Sequence, residues 1–65
     1  MQIIVNGNTC NFEKVVTIQD LLDKLQLTGR LAVEVNKEII PRSLFSAREI
    51  HAGDSIEIVH AIGGG

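Results

Sequence analysis

The sequence predicts an α+β domain: a mixed sheet with one main helix packed on one face and a flexible glycine tail. Three observations predict it. Short runs in which apolar and polar residues alternate have the two-residue period of half-buried strands. One segment departs from that period, since Ile18, Leu21, Leu22 and Leu25 keep the i, i+3, i+4, i+7 spacing of a helix with a single buried stripe. The elements then follow the order strand, strand, helix, strand, irregular segment, strand, with neither repeat nor linker between them. Residues 1–65 therefore read as one domain.

Residues 1–5 are a β-run that ends at Asn6-Gly7-Asn8. Asn-Gly is the strongest short hairpin signal, because both residues tolerate positive φ. The returning strand is expected over 9–14, with Cys10 and Phe12 on one face and Asn11 and Glu13 on the other. Thr17 is placed to cap the free amides of the helix. Asp20, at the third helical position, answers it as a capping box with Asp in place of the usual Glu. Val16 and Leu21 stand at the positions of a hydrophobic staple, and Gly29 is the expected stop shortly after Leu27.

Leu31, Val33 and Val35 alternate with Ala32, Glu34 and Asn36 in a third strand. Asn36-Lys37-Glu38 reads as a polar turn and Ile39-Ile40 as a short extended stretch closed by Pro41. Residues 42–46 read as an irregular turn or one short helical turn, with Leu44 or Phe45 plugging a core edge. Ala52-Gly53-Asp54 is a tight turn. The last strand, 55–60, puts Ile56 and Ile58 on one face and Glu57 and Val59 on the other.

A chain of this length buries only about 60% of its unfolded surface, so the core must be dense. Hydrophobic residues make up 45% of it, enough for such a core and too many for a disordered segment. Six basic against eight acidic residues leave a net charge of −2, without any Lys or Arg cluster and with two Phe as the only aromatics. That balance lacks the basic surface and stacking rings of nucleic-acid binders, and it weakly favours a partner with a basic docking surface. Cys10 is the only cysteine, which rules out an internal disulfide and points to a reducing compartment. The start of the chain does not read as a signal peptide, and its apolar runs fall far short of the ~20 residues that span a bilayer. The expectation is a cytoplasmic protein without a membrane partner, monomeric when free.

The candidate working group lies in Ala61-Ile62-Gly63-Gly64-Gly65, where the sequence closes. Gly63, Gly64 and Gly65 carry no Cβ, so the tail is slim and costly in entropy to order. Three extended residues reach roughly 10 Å, which suits passing a terminal carboxylate into a narrow pocket of another protein. Taken alone, the same glycines fit a frayed terminus equally well. Beside them, Val59 is the candidate docking residue, turned outward by alternation if Ile56 and Ile58 face the core. Ala61 and Ile62 continue that interface toward the glycines.

Catalytic and metal-ligating residues are not expected. Cys10 has no His or cation adjacent in sequence to depress its pKa and reads as a small core hydrophobe. His51 and His60 belong to no zinc-ligand pattern. Asp20 and Asp23 read as a cap and a solvated helix surface. Arg42 reads as a surface residue after Pro41, a partner contact being the sharper alternative.

Element order, tail and local matches together resemble the β-grasp, ubiquitin-like family. Met1-Gln2-Ile3-Ile4-Val5 resembles the opening of ubiquitin, and residues 56–62 keep its spacing from last strand to tail. Within that superfamily the chain is most similar to the thiamine-biosynthesis sulfur carrier family. The similarity is carried by the short length, by Val35-Asn36-Lys37-Glu38-Ile39-Ile40-Pro41-Arg42, by Ala52-Gly53-Asp54-Ser55-Ile56-Glu57-Ile58, and by the closing glycines. It covers essentially the whole chain, with three terminal glycines where many members end in two.

The resemblance implies a β-grasp fold and a cycle centred on the carboxylate of Gly65. An E1-like adenylyltransferase, which holds the ATP and magnesium, joins that carboxylate to AMP. Sulfur originating in a cysteine desulfurase or another source then gives a thiocarboxylate, and thiazole synthase takes the sulfur for the thiazole of thiamine. The chain itself is implied to be a carrier and substrate, not an enzyme, with no cofactor bound. Three alternatives stand behind this reading. One is a sulfur donor like the small subunit of molybdopterin synthase, although those proteins are usually longer. The others are a ubiquitin-type modifier forming isopeptide bonds, and a β-grasp interaction domain whose glycines do nothing.

Overall fold

Hydrophobic alternation resolves into five strands around one helix in residues 1–61, the residues that the computed structural model describes. The elements are β1 (Gln2–Val5), β2 (Asn8–Asn11), α1 (Ile18–Lys24), β3 (Leu31–Val35), β4 (Glu38–Ile40), a 3-10 turn (Arg42–Leu44) and β5 (Ser55–His60). They form one mixed sheet in the order β2-β1-β5-β3-β4. β5 is the middle strand, parallel to β1 and antiparallel to β3, with a hairpin on each side. The expected α+β architecture is therefore the one the chain adopts.

Alternation sets the core. Ile3, Val5, Leu31, Val33, Val35, Ile40, Ile56 and Ile58 of the strands join Ile18, Leu21 and Leu22 of α1 in one buried cluster. Val15, Phe45 and Ile50 close it from the connecting segments. Each such side chain withdrawn from water contributes roughly 1.5–3 kcal/mol. The plug at the core edge is Phe45, while Leu44 stays 48% exposed.

Both hairpins turn on two residues of positive φ, Asn6 and Gly7 at 49° and 83°, Asn36 and Lys37 at 51° and 70°. Such turns twist in the same sense as the flanking strands. Each asparagine then does a second job with its side chain. The Asn6 amide donates to the carbonyl of Ile58 (3.1 Å) and accepts from its N–H (2.8 Å). Asn36 accepts from the Ser55 N–H at 3.0 Å and donates to Asp54 Oδ1 at 3.1 Å. The turns that end β1 and β3 are thus pinned to β5.

The capping box forms as expected. Thr17 Oγ1 accepts from the Asp20 amide at 3.2 Å, and Asp20 Oδ2 accepts from the amides of Val16 and Thr17, both at 3.0 Å. These backbone donors hold the Asp20 carboxyl below the usual carboxylate range, Thr17 first and Val16 second. Two further amides at this helix end, those of Ile18 and Gln19, donate to the carbonyls of Arg48 and Phe45. They need partners because the first turn of a helix has none of its own.

Three expectations are corrected. α1 stops at Lys24, well before Gly29, because Gln26 takes φ 58°. The Gln26 and Leu27 amides return to the carbonyls of Asp23 and Leu22, the two bonds of a Schellman ending. Leu25 and Leu27 then pack against the core from beyond the helix. β2 ends at Asn11, not at 14, although Phe12 still exchanges two 2.9 Å bonds with Met1, before Lys14 turns the chain at φ 61°. Val16, expected as half of a staple, is 53% exposed, and Val15 takes the buried place beside it. The segment after the 3-10 turn is also more ordered than its sequence implied. Glu49 bridges to Thr17, and the amide of Ile50 donates to the Val16 carbonyl.

Replacing Asn6 separates its two jobs. Asn6→Gly keeps the turn and loses the clamp on Ile58, for a loss of about 1–2 kcal/mol in urea denaturation. Asn6→Ala is expected to cost about 1 kcal/mol more, because the left-handed backbone then carries a Cβ. Equal stability of the two variants would show that the backbone conformation costs nothing.

At the helix start, Thr17→Ala is expected to cost about 1 kcal/mol. Asp20→Asn should lose stability at neutral pH. Because folding lowers this carboxyl's pKa, its contribution is present above the unfolded value and disappears as pH falls through the folded one. The stability gap between wild type and Asp20→Asn should therefore close in acid, below about pH 4. A gap independent of pH between 3 and 7 would contradict the charge-based account.

Candidate functional site

With α1 on one side, the sheet's other face is open. Register decides what stands there. Ala32 lies opposite Val59 and Glu34 opposite Glu57 across β3 and β5, while Glu34 lies opposite Ile39 across β3 and β4. Residues at these paired positions share a face. Val59 is 60% exposed and Ile39 is 73% exposed. Together with Val33, these five line a shallow depression of about 120 Å³.

Val59 therefore stands where alternation placed it, outward and near the end of the middle strand. Ala61 is exposed, and its amide donates to the Arg30 carbonyl at 2.9 Å, tying the exit of β5 to the residue before β3. The other candidate residues, Ile62, Gly63, Gly64 and Gly65, lie outside the described residues. His60 is exposed at the end of β5, opposite Leu31.

The remaining singled-out residues are scattered. Cys10 is partly buried against the core, its Sγ 3.4 Å from the Asn8 carbonyl. The exposed His51 ring is 3.9 Å from the Glu49 carboxylate. Arg42 opens the 3-10 turn and borders a groove of about 240 Å³ with Asp23, Leu27 and Phe45, on the helix side of the molecule. Among the described residues, no three His, Cys, Asp or Glu side chains are grouped to hold a metal ion. No helix among them is long and apolar enough to cross a membrane.

Sequence reasoning missed Ile39, and the pairing of Glu34 with Glu57. For Ile39 a signal existed: of two adjacent isoleucines in a strand, only one can face the core, and Ile40 is the buried one. For the glutamates there was none, since their juxtaposition comes from the register between strands far apart in sequence.

Chemically, the described surface offers two opposed carboxylates with exposed Ile39 and Val59 beside them, near the point where the described chain leaves the sheet. That suits contact with another protein rather than catalysis. Comparisons with known proteins agree on one relationship. The sequence model of the ThiS family matches residues 3–65. A thiazole synthase of Paramagnetospirillum magneticum is 41% identical over the whole chain, which spans 20% of that protein's length. The sulfur carrier protein ThiS of Bacillus subtilis is 44% identical, over 94% of this chain and 96% of its own. The crystal structure of a thiamine biosynthesis protein, ThiS from Geobacter metallireducens, superimposes with a TM-score of 0.88 at 29% identity, covering all of both chains.

Proposed function

The chain belongs to the ThiS family, and from that membership we propose that it carries sulfur for the thiazole of thiamine on the main-chain carboxylate of Gly65. The observation that carries this reading is the family match, which runs through the closing glycines. The fold supports it, since the described chain reaches Ala61 just past a middle strand that is paired on both sides.

The chemistry follows from what a carboxylate cannot do. At neutral pH it is anionic, resists nucleophiles and would expel a poor leaving group. Attack of a Gly65 carboxylate oxygen on the α-phosphorus of ATP, with pyrophosphate leaving, converts it to an acyl-adenylate. The outer sulfur of a persulfide then attacks the carbonyl carbon and AMP departs, leaving an acyl disulfide. A thiol of the partner enzymes attacks its sulfur on the donor protein's side, forming a disulfide and releasing the thiocarboxylate. An E1-like adenylyltransferase provides the ATP and magnesium sites and the groups that stabilise developing charge. A cysteine desulfurase or another donor supplies the sulfur, and thiazole synthase consumes it. The chain contributes no acid, base or nucleophile beyond its own terminus, so it is substrate and donor, working in the cytoplasm. The glycines matter because a Cβ at Gly64 or Gly65 would crowd the reacting carbonyl. Val59, Ala61 and Ile62 are the residues that meet the enzymes.

Incubation with the cognate adenylating enzyme, MgATP and a sulfur source should add about 16 Da, one oxygen replaced by sulfur at an activated carboxyl. Mass spectrometry of the intact chain reads this directly, and an unchanged mass with active partners would remove the proposal. Deleting Gly65 should abolish the gain and leave the fold intact, because a residue without a side chain adds nothing to an apolar core.

Val59→Thr tests the interface. It keeps a β-branched shape on the strand, so stability should change by less than about 0.5 kcal/mol. Covering its hydroxyl on docking should weaken association with the adenylating enzyme about tenfold, which titration calorimetry resolves. Undiminished affinity would exclude Val59 from the contact.

A further inference from the structure

The open face holds a like-charged pair for which the domain itself has no use. Glu34 and Glu57 are register partners across β3 and β5, and like charges directly opposite each other destabilise a sheet. Neither carboxylate has a hydrogen-bond or ion-pair partner among the described residues. Solubility alone does not account for the pair. A single lysine at either position would be as soluble and would turn repulsion into attraction. Ile39 adjoins Glu34 on one side, and Val59 follows Glu57 on the other strand, facing Ala32. The paired charge at the centre of this face is therefore negative only, with Ile39 and Val59 exposed beside it.

We propose that this face docks a protein partner presenting an arginine, its guanidinium lying between Glu34 and Glu57 while apolar neighbours cover Val59 and Ile39. A free metal ion or polyamine would leave those two side chains wet, whereas a protein surface covers both at once. Arginine fits better than lysine because its planar fork of donors can engage two carboxylates together. The proposal rests on the carrier reading and specifies the surface of one partner. The adenylating enzyme is the partner assigned because Val59, exposed on this face, lies two residues before Ala61, where the described chain leaves the sheet.

The test is calorimetric titration of the full chain with its adenylating enzyme, at low and high salt. Glu34→Gln and Glu57→Gln should each weaken docking about tenfold at low salt and flatten its salt dependence. Both should also raise the thermal midpoint of the free domain by a few degrees, since the repulsion is relieved. Glu57→Lys should raise it further, by pairing with Glu34, and should remove measurable docking. Glu13→Gln, an equal change of net charge in the loop after β2, should do neither. Wild-type affinity in the Glu34 and Glu57 variants would overturn the inference. So would an equal loss in Glu13→Gln, which would reduce the effect to overall charge. If wild type gains sulfur while the glutamate variants dock unchanged, only this inference fails. If wild type gains no sulfur, the carrier reading fails and this inference goes with it.

Discussion

Everything in this fold hangs on β5 being held in the middle of the sheet. It is the last strand in sequence, yet it separates the two hairpins and joins them into one sheet. Its antiparallel seam with β3 pairs five residues, but the parallel seam with β1 pairs only Ile4 with Ser55 and Val5 with Ile56. A seam so short is weak. The side-chain amide of Asn6 lengthens it by imitating a peptide group, donating to and accepting from Ile58. Asn36 secures the start of the strand from the other side. The price of closing a loop from β1 to the end of the chain is met where both hairpins grip the same strand.

That arrangement explains which features were legible beforehand. Alternation gave the inward residues of β3 and β5, and with them the outward position of Val59, because strand sidedness is a local property. The capping box was equally local, being set by Thr17 and Asp20 alone. The end of α1 was not. Gly29 carries the stronger stop signal, yet the chain turns at Gln26, a residue with an ordinary Cβ. Turning there lets Leu25 and Leu27 reach the core, and that burial outweighs the ~1 kcal/mol cost of a left-handed non-glycine residue. Residues 47–50 were illegible for a similar reason. Their order comes from hydrogen bonds to Val16, Thr17 and the first turn of α1, all contacts made across the fold. The Glu34–Glu57 pair was hidden likewise, since neither residue is unusual until register sets it opposite the other.

A domain this small has one helix to spend on covering a two-faced sheet, so one face remains in water whatever the sequence. What varies is how that face is furnished. Most of it is polar, as a soluble surface should be, but Val59 and Ile39 stay exposed around two opposed carboxylates. Apolar exposure raises the risk of association, and the paired charges lower stability. Both are tolerable when their complements arrive on another protein. On the proposed function, the chain visits an adenylating enzyme and then a sulfur acceptor, and such a carrier cannot bind either permanently. A modest apolar area around a charged centre meets that need, since small, partly polar interfaces release as readily as they form. Under that proposal, a molecule that moves between active sites needs a fixed body and a reachable carboxylate, and the acids, bases and metal ions stay with the enzymes it visits.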